Sequence, residues 1–380
     1  MRRHVLFFNI PALGHVYPTL PVVTELIARG HRVTYLTTPE RVELIRQTGA
    51  DVVVYRSTRP GDSDPAYRPP KSIAAGLLSF VAEAEAILPQ WESALLADRP
   101  DLVAFDRMGF AGGLLARKHN ITAVQLWPML VSGPQWTWAG RFADDDPEWN
   151  AYLAHAAKLL ADQGVPGDLL APEVARHIAF LPRAFQPHES LFDDRYQFVG
   201  PCLSSRGQMW RPPHDLDGRD VVLITLGSLN NMDVGFYQRC FAAFAGTPWH
   251  VVMPIGQRFP VRRLGPVPPN FEVTRSVAQL DVLRHAKVFV SHAGLGGVLE
   301  AVSAGVPQVV LPRTPEQQAN AARVAELGIG LDRPADLREA VAAVAQDRAV
   351  RQAVAELRLE IMASGGATRA ADVIEECLSG

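Results

Sequence analysis

The stretch KVFVSHAGLGGVLEAV, at residues 287–302, decides the fold because it joins three local patterns in a fixed order. Residues 288–291 form a short apolar, β-branched run that is typical of a buried strand. The glycine-rich segment 292–297 interrupts this run, and residues 298–302 resume with helical spacing. A strand, a bend and a helix in this order leave N–H groups unpaired at the helix start, where the helix dipole also favours an anion. The sequence therefore predicts a phosphate-binding site at this bend. Glycine has no side chain, so a phosphate can approach the main chain closely there.

A second strand-and-loop unit follows at once. Residues 308–311 form another apolar run, and residues 312–320 supply polar groups directly after it. Because open α/β sheets bind ligands where neighbouring strands end, we expect these groups beside the glycine bend. The two units together resemble the donor-binding signature of the nucleotide-sugar glycosyltransferases, in particular the bacterial macrolide glycosyltransferases, in the ordered set His292, Gly294, Gly296, Glu300, Gly305, Pro307, Pro312, Glu316, Gln317 and Asn320.

The resemblance implies the GT-B fold, which is α/β with two Rossmann-like parallel-sheet domains facing across a cleft. A chain of 380 residues is also longer than one hydrophobic core usually supports. Strand and helix patterns alternate on both sides of a Pro- and Gly-rich stretch, which predicts two parallel sheets and a linker. We expect an acceptor-binding domain at 1–203, a linker at 204–219 and a nucleotide-sugar domain at 220–362. By the resemblance, a last helix at 363–380 crosses back onto the first domain.

Composition excludes several classes of protein. The apolar content of 48%, the charged content of 20% and the net charge of −3 are ordinary for a globular enzyme and give no basic surface for nucleic acid or an anionic membrane. No apolar run is expected to approach the ~20 residues of a membrane helix. The three cysteines are too widely spaced for a disulfide framework or a metal site. We therefore expect a cytoplasmic protein, monomeric or homodimeric, with no metal.

A histidine and an aspartate follow two strands of the amino-terminal half. His15 lies in a predicted loop after the strand at 5–10, and Asp106 follows the strand at 102–105 in the same way. A histidine can take a proton from a hydroxyl near neutral pH, and a carboxylate on its other nitrogen would fix the tautomer. Taken alone, a loop histidine is more often an ordinary surface residue. However, residues 14–18 are similar to the family's Gly-His-x-x-Pro motif, which implies that His15 is the base and Asp106 its partner.

An aromatic-rich region broken by prolines spans residues 126–149. By the resemblance, this part of the chain lines the acceptor pocket, and an apolar, adaptable pocket suits a macrolide, polyketide or flavonoid. The same rings fit a hydrophobic core equally well. The acidic runs 62–64 and 144–146 suggest a metal site, but no strand leads into either run, which favours solvated loops. The candidate acceptor-binding residues are Trp127, Met129, Trp136 and Trp138.

The resemblance also assigns donor-binding roles in the carboxyl-terminal half. His292 and the N–H groups of the glycines after it would hold the diphosphate as it leaves, without a metal or other cofactor. Glu300 would bind the ribose hydroxyls, although a carboxylate there also suits the helix dipole. Glu316 and Gln317 would bind sugar hydroxyls. The full donor set is Gly227, Ser228, Val277, Gln279, His292, Gly294, Gly296, Gly297, Glu300, Glu316 and Gln317.

Two departures from the family pattern affect the donor. Relatives often have Trp-x-Pro-Gln where this chain has residues 276–279, so an indole that stacks on the base is missing, and they often have serine at Gly297. The nucleotide is left open between UDP and TDP, while the pair Glu316-Gln317 favours glucose over a deoxysugar. Two rival functions also stay open. One is a nucleotide-sugar 2-epimerase, which shares the fold but needs no large acceptor pocket, and the other is a non-catalytic accessory protein.

Overall fold

Two parallel sheets organise the protein. The structure is a computed structural model that describes residues 2–59, 70–133, 135–140, 145–204, 209–213, 216, 218–227 and 232–379. The chain divides into two compact units: an amino-terminal unit of Met1–Leu203 with Ser364–Gly380, and a carboxyl-terminal unit of Ser204–Ala363. Each unit contains one sheet whose neighbouring strands are parallel. This arrangement confirms the predicted α/β class with two Rossmann-like sheets.

The sheet of the amino-terminal unit has seven strands in the order β3-β2-β1-β4-β5-β6-β7. The strands are β1 (His4–Phe8), β2 (Arg32–Thr37), β3 (Asp51–Val54), β4 (Leu102–Asp106), β5 (Thr122–Trp127), β6 (Arg176–Ala179) and β7 (Tyr196–Phe198). The α-helices up to residue 203 are α1 (Leu13–Val16), α2 (Thr19–Ala28), α3 (Val42–Arg46), α4 (Ile73–Ala97), α5 (Phe110–Lys118) and α6 (Pro147–Asp162), with 3₁₀ turns at Pro39–Arg41, Arg183–Phe185 and Glu189–Leu191. The strand order reverses between β1 and β4, and α/β sheets bind ligands at such a switch point.

Strand β1 shows how the sheet is buried on both faces. Leu6 and Phe8 pack into one hydrophobic cluster, whereas Val5 and Phe7 pack into another. Because successive side chains of a strand point to opposite faces, these two clusters lie on the two sides of the sheet. A strand covered on both sides reads as an unbroken apolar run, which is why β1 can be recognised from the sequence.

Helix α4 has 25 residues and by length and composition could cross a membrane, which corrects the expectation that no apolar run is long enough. Within its most apolar window, 44% of the residues are buried inside the protein. One face of the helix packs into the hydrophobic cluster that contains Phe8, through Leu77, Val81, Ala84, Ile87, Leu88, Trp91 and Leu95. The helix therefore supplies a large part of the core on one side of the sheet.

The sheet of the carboxyl-terminal unit has six strands in the order β10-β9-β8-β11-β12-β13. The strands are β8 (Asp220–Thr225), β9 (Trp249–Pro254), β10 (Phe271–Thr274), β11 (Ala286–Ser291), β12 (Gln308–Val310) and β13 (Gly330–Asp332). The described α-helices are α7 (Val234–Phe244), α8 (Gln279–Leu283), α9 (Leu295–Ala304), α10 (Pro315–Glu326), α11 (Leu337–Gln346) and α12 (Arg348–Ala363), with a 3₁₀ turn at Val261–Arg263. The order reverses between β8 and β11, so the glycine-rich bend after β11 lies at this sheet's switch point.

The last helix, α13 (Gly366–Ser379), belongs to the amino-terminal unit. Its apolar side chains pack into the hydrophobic cluster that also contains Val5 and Phe7. The Arg29 guanidinium, after α2, donates to Asp372 at 2.7 Å and to Glu375 at 2.6 Å. These contacts fix α13 beside α2.

Candidate active site

The amino-terminal sheet brings His15 and Asp106 together. Strands β1 and β4 are neighbours, with Phe8 level with Phe105, so the segments that leave their carboxyl ends start side by side. His15 lies in the short helix α1, not in a loop as predicted, and Asp106 is the last residue of β4. The Nδ1 atom of His15 is 2.7 Å from Oδ2 of Asp106.

The tautomer of His15 follows from this contact. A carboxylate only accepts hydrogen bonds, so Nδ1 carries the proton and Nε2 of the neutral ring has the basic lone pair. The side chain of Asp106 is fully buried, whereas that of His15 is 17% exposed. The histidine therefore presents an edge to solvent while its partner is held inside the unit, as a general base and its positioning carboxylate require.

Two further donors hold the Asp106 carboxylate. The Met108 N–H donates to Oδ1 at 2.7 Å. The Asn9 amide donates to Oδ2 at 3.2 Å and to the carbonyl of His15 at 3.3 Å. Asn9 is fully buried and follows β1 directly, so it ties the strand end, the helix α1 and the carboxylate together. Sequence reasoning did not select Asn9. A polar residue directly after an apolar strand was the available signal.

The glycine-rich bend has a strained main chain that is fixed by two side chains. Ala293 is in the left-handed region with φ +62°, which a non-glycine residue rarely adopts. Its N–H donates to Oγ of Ser291 at 3.1 Å, and its carbonyl accepts from Nδ2 of Asn320 at 2.9 Å. Gly294 is the N-cap of α9 and offers no side-chain cap. The first N–H groups of α9 are therefore directed at the bend without a capping side chain, as an anion site requires.

The ring of His292 fills the space between two glycines. A Cβ atom at Gly227 would lie 2.8 Å from Nε2 of His292, and one at Gly294 would lie 2.6 Å from the same atom. Burial, and then the Arg313 cation, lower the pKa of His292 to about 4, while a hydrogen bond with the Thr225 main chain opposes the shift. Without a bound anion the imidazole is therefore uncharged at neutral pH, and its N–H can donate a hydrogen bond to a phosphate.

The carboxylate expected to bind ribose is buried and paired. Glu300 is 2% exposed, and its Oε2 accepts from Nε2 of Gln279 at 2.7 Å. The structure thus joins two of the predicted donor-binding residues to each other. Glu316 and Gln317 lie in the first turn of α10, and Oε1 of Gln317 accepts the Arg313 N–H at 2.9 Å.

Four other donor positions differ in how they are placed. Gly296 has open space where a Cβ atom would stand, and Gly297 would make only ordinary contacts of 3.5 Å. Val277 is partly buried against the core of the carboxyl-terminal unit. Ser228 lies outside the described residues. The Arg313 side chain, which sequence reasoning did not select, is ion-paired with Asp233 at 2.6 Å.

Comparisons with known proteins identify the family of the chain. A family described as erythromycin biosynthesis protein CIII-like, C-terminal domain, matches residues 250–377. The oleandomycin glycosyltransferase of Streptomyces antibioticus is 36% identical over 98% of this chain and 90% of its own. The NDP-glycosyltransferase YjiC of Bacillus licheniformis is 37% identical over 99% of this chain and 98% of its own.

The chain belongs to the bacterial macrolide-type glycosyltransferases. The crystal structure of CalG4, the calicheamicin glycosyltransferase, is 38% identical and superposes with a TM-score of 0.86 over 100% of this chain and 98% of that one. The GT-B fold expected from the sequence is therefore confirmed, and the protein is a nucleotide-sugar glycosyltransferase.

The acceptor-binding candidates of this glycosyltransferase fall into two groups. Trp127 is 2% exposed, and its indole N–H donates to Nδ1 of His177 at 3.2 Å, while Met129 is also buried. Core packing accounts for the burial of both residues. The sequence pattern alone does not distinguish core side chains from side chains that line a pocket. Trp136 is partly exposed and lies 5.9 Å from the ring of His188. Trp138 is partly exposed as well, and its contact with an acceptor stays a prediction.

The Arg107 guanidinium lies 4.9 Å from the centre of the Trp127 ring. Sequence reasoning did not select this buried arginine, which directly follows Asp106.

The described part of the acidic run 144–146 forms no metal centre. Asp146 instead caps α6, because its Oδ1 accepts the N–H groups of Glu148 and Trp149 at 2.9 and 3.0 Å. Residues 62–64 and Asp144 lie outside the described residues. Among the residues the structure describes, no group of three or more His, Cys, Asp or Glu side chains is arranged to hold a metal ion.

Proposed function

We propose that the protein is an inverting glycosyltransferase that moves a sugar, with glucose preferred, from a UDP- or TDP-sugar to a hydroxyl of a hydrophobic natural product such as a macrolide or polyketide. The observation that carries the proposal is the 2.7 Å contact between His15 and the buried Asp106, which supplies a base of fixed tautomer. Two relatives are named for natural products, oleandomycin and calicheamicin, and these names support the acceptor class.

The proposed reaction is a single displacement. Nε2 of His15 takes the proton of the acceptor hydroxyl, and the oxygen forms a bond to the anomeric carbon of the sugar. The bond between that carbon and the diphosphate oxygen breaks at the same time. Asp106 stabilises the imidazolium that forms. Attack from the side opposite the leaving group turns an α-linked donor into a β-linked product.

The carboxyl-terminal unit provides for the leaving group in this proposal. The first N–H groups of α9 and the neutral His292 ring would accept the developing charge of the diphosphate. The Arg313 cation adds positive potential at the same place, since it acts on the His292 ring. Glu316 and Gln317 would bind sugar hydroxyls. A hydrogen bond to the charged Glu316 contributes roughly 1.5–3 kcal/mol, and one to the neutral Gln317 amide roughly 0.5–1.5 kcal/mol. We infer that these groups suffice without a metal or another cofactor.

The test is product analysis with UDP-glucose and TDP-glucose, each with a macrolide acceptor and each alone. We expect one added hexose by mass and a β-anomeric proton coupling by NMR, with turnover unchanged by a chelator. An α-linked product would contradict inversion. A new nucleotide sugar formed without acceptor would instead indicate an epimerase.

A further inference from the structure

We propose that Asn320 is a positioning residue for the leaving diphosphate, because its side chain holds the Ala293 carbonyl in the orientation that frees the first N–H groups of α9. This inference rests on the proposed function, since it assigns a task within the same donor site. All of the contacts that support it lie within the carboxyl-terminal unit.

The Ala293 carbonyl is turned away from α9. Ala293 has φ +62°, whereas Gly294, the N-cap, has φ −64°. The Gly294 carbonyl accepts the Val298 N–H at 3.0 Å. A helix that began one residue earlier would use the Ala293 carbonyl to accept the Gly297 N–H. In the structure this carbonyl instead accepts from Nδ2 of Asn320 at 2.9 Å.

The N–H groups at the start of α9 are left available as a result. Among the described residues, none accepts a hydrogen bond from the N–H groups of residues 294–297. An N–H that donated back to Ala293 could not donate to a phosphate. Asn320 therefore takes the place of the Gly297 N–H at the carbonyl, and the helix start keeps its donors for an anion.

Two buried side chains hold the strained conformation of Ala293. Oγ of Ser291 accepts the Ala293 N–H at 3.1 Å, and Asn320 donates to the carbonyl on the other side of the residue. Ser291 is 2% exposed and Asn320 is fully buried, so water does not compete for these contacts. An alanine rarely adopts a positive φ unless its surroundings impose it. Without Asn320 we expect the bend to relax and the helix start to lose its fixed orientation.

Packing alone does not account for an asparagine at position 320. Its Oδ1 atom is buried without a hydrogen-bond partner, which is costly and which an apolar side chain would avoid. Nδ2 must face Ala293, because a carbonyl oxygen only accepts. The hydrogen bond to the turned carbonyl is therefore what the asparagine supplies at this position.

Asn320 also joins the two parts of the proposed donor site. Glu316 and Gln317 lie in the first turn of α10, four and three residues before Asn320, so the three side chains share one side of the helix. The residues proposed to bind the sugar and the bend proposed to bind the diphosphate are thus linked through one helix. The asparagine keeps both parts in register while the bond between sugar and phosphate breaks.

The experiment measures the Kd of UDP by calorimetry and the Kd of uridine by ligand-observed NMR. Uridine has no phosphate, so its binding does not depend on the bend. We expect Asn320→Ala to weaken UDP binding by about tenfold or more and to leave the Kd of uridine within twofold. Asn320→Asp keeps the size of the side chain but replaces the N–H donor with an oxygen, and it should behave in the same way. If Asn320→Ala does not fold, Asn320→Asp decides.

Asn270→Ala is the matched control. Asn270 is also buried, its Nδ2 donates to the carbonyls of Phe244 and Trp249 at 2.8 and 2.9 Å, and its Oδ1 has no partner. It directly precedes β10, at the amino-terminal edge of the sheet, whereas the bend follows the carboxyl end of β11. We expect this variant to lower the unfolding midpoint but to keep the wild-type ratio of the UDP and uridine Kd values.

A rescue variant tests the turned carbonyl itself. Glycine adopts a positive φ without strain, so Ala293→Gly should restore severalfold of the lost UDP affinity when it is combined with Asn320→Ala. A structural defect elsewhere in α10 would not respond to this change.

Three outcomes would overturn the inference: a wild-type ratio of the two Kd values in Asn320→Ala, the same loss of this ratio in Asn270→Ala, or no recovery in the double variant. A wild type that binds UDP no better than uridine would overturn it as well. Failure of the proposed function is a separate result, because it would appear as no sugar transfer by a wild type that binds UDP.

Discussion

Nδ1 of His15 and Oδ2 of Asp106 lie 2.7 Å apart, and the same carboxylate oxygen accepts the Asn9 amide at 3.2 Å. The carboxylate therefore holds the imidazole in one orientation and one tautomer, while the fully buried position of Asp106 keeps competing water away. A pair built in this way is suited to taking a proton from a substrate hydroxyl, and it is the part of the amino-terminal unit that the proposed chemistry most depends on.

Asp106→Asn tests the partner of the base. The amide can present an N–H to Nδ1, which forces the other tautomer, and it cannot stabilise the imidazolium by charge. We expect kcat to fall by about 10²–10⁴-fold with the Kd of UDP unchanged. Asp101→Asn is a matched control, since Asp101 lies at the other end of β4 and accepts the His4 N–H. Equal kcat values for the two variants would remove Asp106 from the mechanism.

Gly294→Ala and Gly296→Ala distinguish a loss of protein stability from a loss of phosphate binding at the predicted donor site. A methyl at Gly294 would collide with the His292 ring, whereas a methyl at Gly296 meets open space. We expect Gly294→Ala to lower the unfolding midpoint and weaken UDP binding. Gly296→Ala should keep the midpoint and weaken only UDP binding, because its methyl would stand where a phosphate approaches. Calorimetry and thermal unfolding measure both effects, and wild-type UDP affinity in Gly296→Ala would argue against a phosphate at this bend.

Ala293→Gly tests the strain in the bend. An alanine at φ +62° carries a backbone strain of about 1–2 kcal/mol, which glycine avoids because it has no Cβ atom. We expect the variant to raise the free energy of unfolding of the carboxyl-terminal unit by about 1 kcal/mol, or roughly 2–4 °C in midpoint. Ala325→Gly, at an exposed position of α10, should instead lower it by about 1 kcal/mol. Matching losses in both variants would contradict the strain account.

His177 gives a prediction for stability against pH. Burial, and then the Arg195 and Arg107 cations, lower the pKa of His177 to about 4, and protonating Nδ1 would remove the acceptor of the Trp127 indole N–H. A folded pKa below the unfolded value of about 6.5 means that the unfolded state binds more protons. Stability is therefore complete above pH 6.5 and falls as the pH drops toward 4, by about 3 kcal/mol.

Denaturant unfolding at pH 7.5 and pH 4.5 measures this loss. We expect His177→Gln to show a smaller loss than the wild type, because glutamine does not titrate and can still accept from Trp127. The same loss in both proteins would show that other groups control acid stability.

The sheets could be predicted from the sequence because each inner strand is a short apolar run between turn residues. Residues 288–291 lie within β11 and residues 102–105 within β4. The residues that follow these two apolar runs also identified the ends of β4 and β11 as places where polar groups collect. The strands could be located from local apolar runs because parallel strands are buried on both faces.

Local spacing could not show which groups meet across the chain. Asn9 and Asp106 are almost a hundred positions apart in sequence. They meet only because strands β1 and β4 are neighbours in the sheet. Trp127 matched an acceptor pattern, yet it is buried against His177 from another strand. Helix α4 was overlooked as an apolar run because glutamates and a proline interrupt it, although its buried face is continuous.

The most direct test of the proposed mechanism is His15→Ala, with kcat and the Kd of UDP measured on the same preparation. The account predicts a loss of kcat of at least 10²-fold with the Kd of UDP unchanged within twofold, because the proposal assigns phosphate binding to the carboxyl-terminal unit. A variant that turns over at the wild-type rate would show that His15 is not the base and would contradict the account.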